Sequence, residues 1–103
     1  MIAAIVREKE AAIRSLCLKY RVKSFDLFGS GTLDEEFTEE SDLDFLVDFE
    51  PMAPEEHVDC YFGLVEELEG LFGRNVDLVE ARAVRNPYLL KGIEETRQGI
   101  YAA

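Results

Sequence analysis

Residues 27–49 read LFGSGTLDEEFTEESDLDFLVDF. An apolar run, Phe25 to Phe28 broken only by Asp26, stops at Gly29-Ser30. Eleven residues, 31–41, separate that pair from Asp42-Leu43-Asp44, where a second apolar run through Phe49 begins. Glycine permits a tight turn after a strand. A short helix, predicted over residues 30–37, would then point unpaired backbone N–H groups at a polyanion. Asp42 and Asp44, at i and i+2 on a strand, share one face about 7 Å apart by Cα. Both carboxylates can therefore converge on one divalent cation, and hard oxygen ligands suit Mg²⁺ bound together with substrate phosphates. Gly29-Ser30 ends its strand and Asp42-x-Asp44 opens the next. They face one site only if the two strands run antiparallel.

Outward from this stretch, helix and strand alternate. Ile2, Ile5, Val6, Ile13, Leu16, Cys17 and Tyr20 recur at helical spacing, which predicts an amphipathic helix over 2–19. Val22–Phe28 follows as a strand rich in β-branched and aromatic residues. After the second strand, residues 43–49, Pro51 and Pro54 mark a turn and Pro54 suits a first helical position. Val58, Tyr61, Phe62, Val65, Leu68 and Phe72 line one face of a helix over 54–72, with Gly73 as its stop. A third strand covers 75–80, with Val76 and Leu78 facing one way and Asp77 the other. Residues 81–87 connect it to a closing helix over 88–98. The expected fold is α/β (α+β): one domain, residues 1–103, with a small mixed three-stranded sheet flanked by helices in the order α-β-α-β-α-β-α.

Composition narrows the function. The 103 residues carry 11 basic and 22 acidic side chains, a net charge of −11, which disfavours direct nucleic-acid binding because phosphate contacts need clustered Lys and Arg. An acidic surface favours solubility, cations or a basic partner. Cys17 and Cys60 form neither a disulfide framework nor a zinc motif and read as small buried side chains in a reducing compartment. The sequence has no transmembrane run, and Arg7, Glu8, Lys9 and Glu10 interrupt any signal-like segment, so a cytoplasmic protein is expected. With 22 acidic residues, an Asp-x-Asp is not rare by chance, and its placement opposite Gly-Ser is what gives it weight. Asp48 reads as a strand-end charge or a minor neighbour of the metal pair. Asp26 reads as solvent-facing or locally hydrogen bonded, and His57 as a surface residue. Lys23, Arg74, Arg82 and Arg85 are candidates to reach phosphates, with nothing to choose among them.

Together, YRVKSFDLFGS, SDLDFLVDF at this spacing and NVDLVE downstream resemble the nucleotidyltransferase superfamily that includes DNA polymerase β. The chain looks like its minimal, MNT-type prokaryotic members over nearly its whole length. The resemblance implies that Asp42, Asp44 and Asp77 form the catalytic and metal-binding triad. Three such carboxylates would hold two Mg²⁺ or Mn²⁺ ions about 3.5–4 Å apart. It implies ATP as the nucleoside triphosphate substrate, with Gly29 and Ser30 on its phosphates, and Asp77 helping to deprotonate the acceptor. Minimal members resemble antitoxins paired with a helical HEPN-type toxin, some of which transfer AMP to a hydroxyl of that partner. A metal-dependent protein adenylyltransferase is therefore expected, and a homo-oligomer is compatible with the sequence.

One departure pulls the other way. Many relatives carry basic or small residues just after Gly-Ser, whereas this chain reads Gly31, Thr32, Leu33, Asp34, Glu35, Glu36. Acidic side chains there repel a triphosphate, screened over about 8–10 Å. The competing expectation is a weak or inactive nucleotidyltransferase fold that neutralises its partner by occlusion.

Overall fold

Strand β1 (Val22–Phe28) is the centre of the architecture. A computed structural model describes residues 4–29 and 42–103. The predicted short helix at 30–37, the acidic segment 31–36 and the polar run 38–41 lie outside those residues. The chain enters through α1 (Ala4–Glu8) and α2 (Glu10–Lys19), and after β1 continues into β2 (Leu43–Phe49). Helix α3 (Pro54–Phe72), β3 (Val76–Glu80), a 3₁₀ turn at Ala81–Ala83, α4 (Pro87–Thr96) and β4 (Gln98–Ala102) follow. The strands lie in the order β3-β2-β1-β4. The β1–β2 and β1–β4 pairs are antiparallel, and β2–β3 is parallel.

Period-two alternation gives the sheet two different faces. Phe25, Leu27, Leu43, Phe45, Val47, Phe49, Val76 and Leu78 join Val6, Ile13, Cys17, Leu64, Leu68 and Phe72 of the first three helices in the main core. The Phe25 and Phe45 rings stack at 4.7 Å between centroids. Burying each such side chain contributes about 1.5–3 kcal/mol. On the other face Phe28 and Leu46 pack with Ile93 of α4, backed by Val79 and Val84. Helix α3 begins at Pro54 with Glu55 and Glu56 in its first turn, and Gly73 closes it at φ 63. Both ends agree with the sequence.

Two expectations are corrected. The helix predicted over 2–19 is broken by a turn at Lys9, whose N–H bonds Val6 O at 3.0 Å in the tighter i→i−3 pattern. The sheet has four strands rather than three. Arg97 turns extended (φ −61, ψ 137), which ends α4 at Thr96, and Gln98–Ala102 then pairs along β1. Without β4 the far edge of β1 would expose unpaired N–H and C=O groups. Among the described residues, no helix is long and apolar enough to cross a membrane.

Candidate active site

The antiparallel β1–β2 register sets Phe28 opposite Asp44, so the end of one strand meets the start of the next, as the sequence argument requires. The parallel β2–β3 register sets Asp44 opposite Asp77. Neighbouring strands run about 4.7–4.9 Å apart. Asp42, just before β2, is exposed, Asp77 is exposed and Asp44 is half-buried. All three aspartates thus come to one end of β2 and β3, on the face that carries α4. Ser30 lies outside the described residues.

Burial, then the negative charges of Asp77 and Asp42, push the Asp44 carboxyl up to about 6. Gly29 sits against this carboxylate with φ 73, and a Cβ placed there would lie 2.7 Å from Asp44 Oδ2. Only glycine adopts that backbone cheaply and leaves Asp44 its room. The Gly29 N–H donates to Thr96 Oγ1 at 3.0 Å, and the Thr96 hydroxyl donates to Gly92 O at 2.8 Å. Among the described residues, no three His, Cys, Asp or Glu side chains are gathered into a metal-holding cluster. The aspartates share a face and one another's field, and their all-oxygen donor set fits a hard divalent cation.

The remaining charged residues sort by position. Asp48 is bound by Arg82 Nε at 2.8 Å, and His57 pairs with Glu80 while its ring meets Phe49 edge-on. These groups and Arg85 line a cavity of about 560 Å³ at the opposite end of β2 and β3 from Asp44. Arg82 and Arg85 are thereby placed away from Asp42, Asp44 and Asp77. Asp26 corrects its sequence reading. It is buried on β1, and its Oδ2 accepts Nε and Nη2 of Arg97 at 2.8 and 2.5 Å. Neither Arg97 nor Thr96 stood out in the sequence, because both partners lie some seventy residues away and no local pattern links them.

This arrangement has relatives. The nucleotidyltransferase domain family matches residues 9–100. The chain belongs to that family. A candidate protein adenylyltransferase of Methanocaldococcus jannaschii is 44% identical over 81 residues, which cover 75% of each chain. A second from the same organism is 44% identical over 77 residues, covering 75% of this chain and 74% of that one. Among solved structures, a candidate minimal nucleotidyltransferase superposes with a TM-score of 0.75 at 32% identity, covering 95% of both chains. A chain from the tri-AMPylated Shewanella oneidensis HEPN toxin in complex with MNT antitoxin superposes with a TM-score of 0.65 at 18% identity. That match covers 94% of this chain and 72% of the other, and it speaks for the fold alone. Membership makes this chain a nucleotidyltransferase, and its four-stranded mixed sheet is a form of the minimal nucleotidyltransferase fold.

Proposed function

We propose that this nucleotidyltransferase transfers AMP from ATP to a hydroxyl of a partner protein, with Asp42, Asp44 and Asp77 as its catalytic and metal-binding carboxylates. The observation that carries this reading is the register of Asp44 against Asp77, with Gly29 packed on Asp44 from the neighbouring strand. It supports one site that serves phosphates and carboxylates together. When Mg²⁺ or Mn²⁺ is bound there, it offsets triphosphate charge and makes the acceptor hydroxyl a better nucleophile. The chain's own residues supply the rest. Gly29 and Ser30 orient the phosphates. Asp77, the more exposed of the strand-borne pair, accepts the acceptor's proton. The names of the M. jannaschii relatives support a protein acceptor, and the HEPN–MNT complex supports a HEPN-type toxin as that acceptor. An acidic antitoxin suits a partner that handles nucleic acid.

Incubation with ATP, Mg²⁺ and a HEPN-type partner should add adenylyl mass to that partner. Asp42→Asn and Asp77→Asn should remove the added mass while leaving complex formation intact. The acidic segment 31–36 favours a second reading, neutralisation by occlusion. That reading stands if the partner is silenced without added mass at saturating ATP and both variants silence it equally.

A further inference from the structure

We infer that Thr96 is a positioning residue for the turn at Gly29, locking its backbone before any nucleotide arrives. The inference rests on reading that turn as the phosphate-holding element.

The turn is soft by composition. Gly29 stands at φ 73, and glycine has more backbone freedom to restrain than any other residue. Thr96 restrains it. A hydroxyl has one proton to give, and Thr96 directs that proton to Gly92 O at 2.8 Å. Its lone pairs are left to accept the Gly29 N–H at 3.0 Å. On the other side Gly29 abuts the Asp44 carboxylate. The residue is thus held by its amide from α4 and by its Cα from β2.

Thr96 is itself anchored. Arg97, the next residue, places Nε and Nη2 on the buried Oδ2 of Asp26, and its backbone N–H closes α4 onto Ile93 O at 2.7 Å. Two adjacent residues at the end of α4 therefore grip β1 and its exit, at Asp26 and Gly29. A single contact would fix a distance, whereas two fix an orientation. The clamp thereby fixes the orientation of the Gly29 amide relative to α4. Thr96 acts through Gly29, whose N–H it accepts.

The test compares Thr96→Val, which keeps the shape and removes the acceptor, with Thr96→Ser, which keeps the acceptor. Mg·ATP affinity is measured by titration and Gly29 amide exchange by NMR. Losing one such hydrogen bond should weaken Mg·ATP binding by about three- to tenfold in Thr96→Val. Gly29 exchange should speed up in the same variant, and Thr96→Ser should match wild type in both readouts. Unchanged Mg·ATP affinity or unchanged Gly29 exchange in Thr96→Val overturns the inference. So does a Thr96→Ser variant as weak as Thr96→Val, which would assign the effect to the lost methyl. A wild-type protein that fails to bind Mg·ATP removes the phosphate-holding reading, and Thr96's role with it. Wild-type binding with an indifferent Thr96→Val sinks Thr96 alone.

Discussion

Gly29 packs directly against the Asp44 carboxylate, in space that a side chain at position 29 would have to take from it. The Gly29 Cα faces Asp44 Oδ2 so closely that an added Cβ would meet it at 2.7 Å. Gly73 provides the control, since it has a similar φ of 63 with nothing within 4 Å of an added Cβ. Gly73→Ala should cost about 1–2 kcal/mol, the backbone strain alone. Gly29→Ala should cost more, because Asp44 or the turn must also shift. Urea denaturation of both variants decides this, and equal losses would mean that Asp44 yields freely.

Asp44 should make the metal-free protein less stable as pH rises. Its carboxyl is raised to about 6 in the fold from an ordinary 3.8. The folded state therefore binds the proton more tightly. That contribution is complete below about pH 4 and is lost as pH climbs through about 6. Asp44→Asn removes the penalty, so with chelator present it should be the more stable protein at pH 7. The gain should be roughly 1–2 kcal/mol, discounted because the group is only half-buried. At pH 4 the two proteins should melt together. A gain independent of pH would point to packing instead.

Divalent cations should reverse that order. A cation that binds only the folded state at one hundred times its Kd stabilises by about 2.7 kcal/mol. Mg²⁺ or Mn²⁺ should raise the melting temperature of wild type and of Asp48→Asn, since Asp48 is held by Arg82 at the other end of β2. It should do little for Asp44→Asn or Asp77→Asn. Equal stabilisation of all four proteins would dismiss the three-aspartate site.

The two cysteines should differ in reactivity. Burial pushes the Cys17 thiol up to about 12, and its side chain lies in the main core, whereas Cys60 is only partly buried. Because the thiolate is the reactive form, an alkylating reagent at pH 8 should label Cys60 in the folded protein. Cys17 should be labelled only in denaturant. Mass spectrometry of the labelled peptides reads the result directly.

The Asp26–Arg97 pair should show strong coupling. Removing Arg97 leaves a buried carboxylate without its fork, at a cost of about 1–3 kcal/mol. Replacing both partners with apolar residues should cost less than the two single changes added together. A double-mutant cycle in urea measures the difference, and additive losses would show the pair to be energetically idle.

Much of this was legible from residues 27–49, and the physical reason is periodicity. Asp42 and Asp44 interrupt an apolar strand at period two, and Asp77 does the same in β3, so their shared face follows from the pleat. The antiparallel pairing of β1 with β2 followed from the need for Gly29 and Asp44 to meet, and Phe28 opposite Asp44 agrees. Helix α3 was bounded at both ends by Pro54 and Gly73. Strand β4 was hidden because a five-residue strand with one buried residue, Ile100, imitates the tail of a helix. Asp26 was misread because alternation tells which face a side chain takes, and says nothing of a partner arriving from the end of the chain. Thr96 was hidden for the same reason.

The position of β4 also dictates when the site comes into being. Strand β1 is made early, yet one of its two sheet neighbours is supplied by residues 98–102. The contact between Gly29 and Thr96 closes a loop of 67 residues. Contacts of such sequence separation form late, because loop-closure entropy comes before any reward. A growing chain can pair β1 with β2 and β2 with β3 and bury most of its aromatic core while the turn at Gly29 still lacks its clamp. The nascent protein would thus be folded in its bulk before it is competent at its site. A chain stalled on the ribosome short of α4 should have a stable core and no ordered turn.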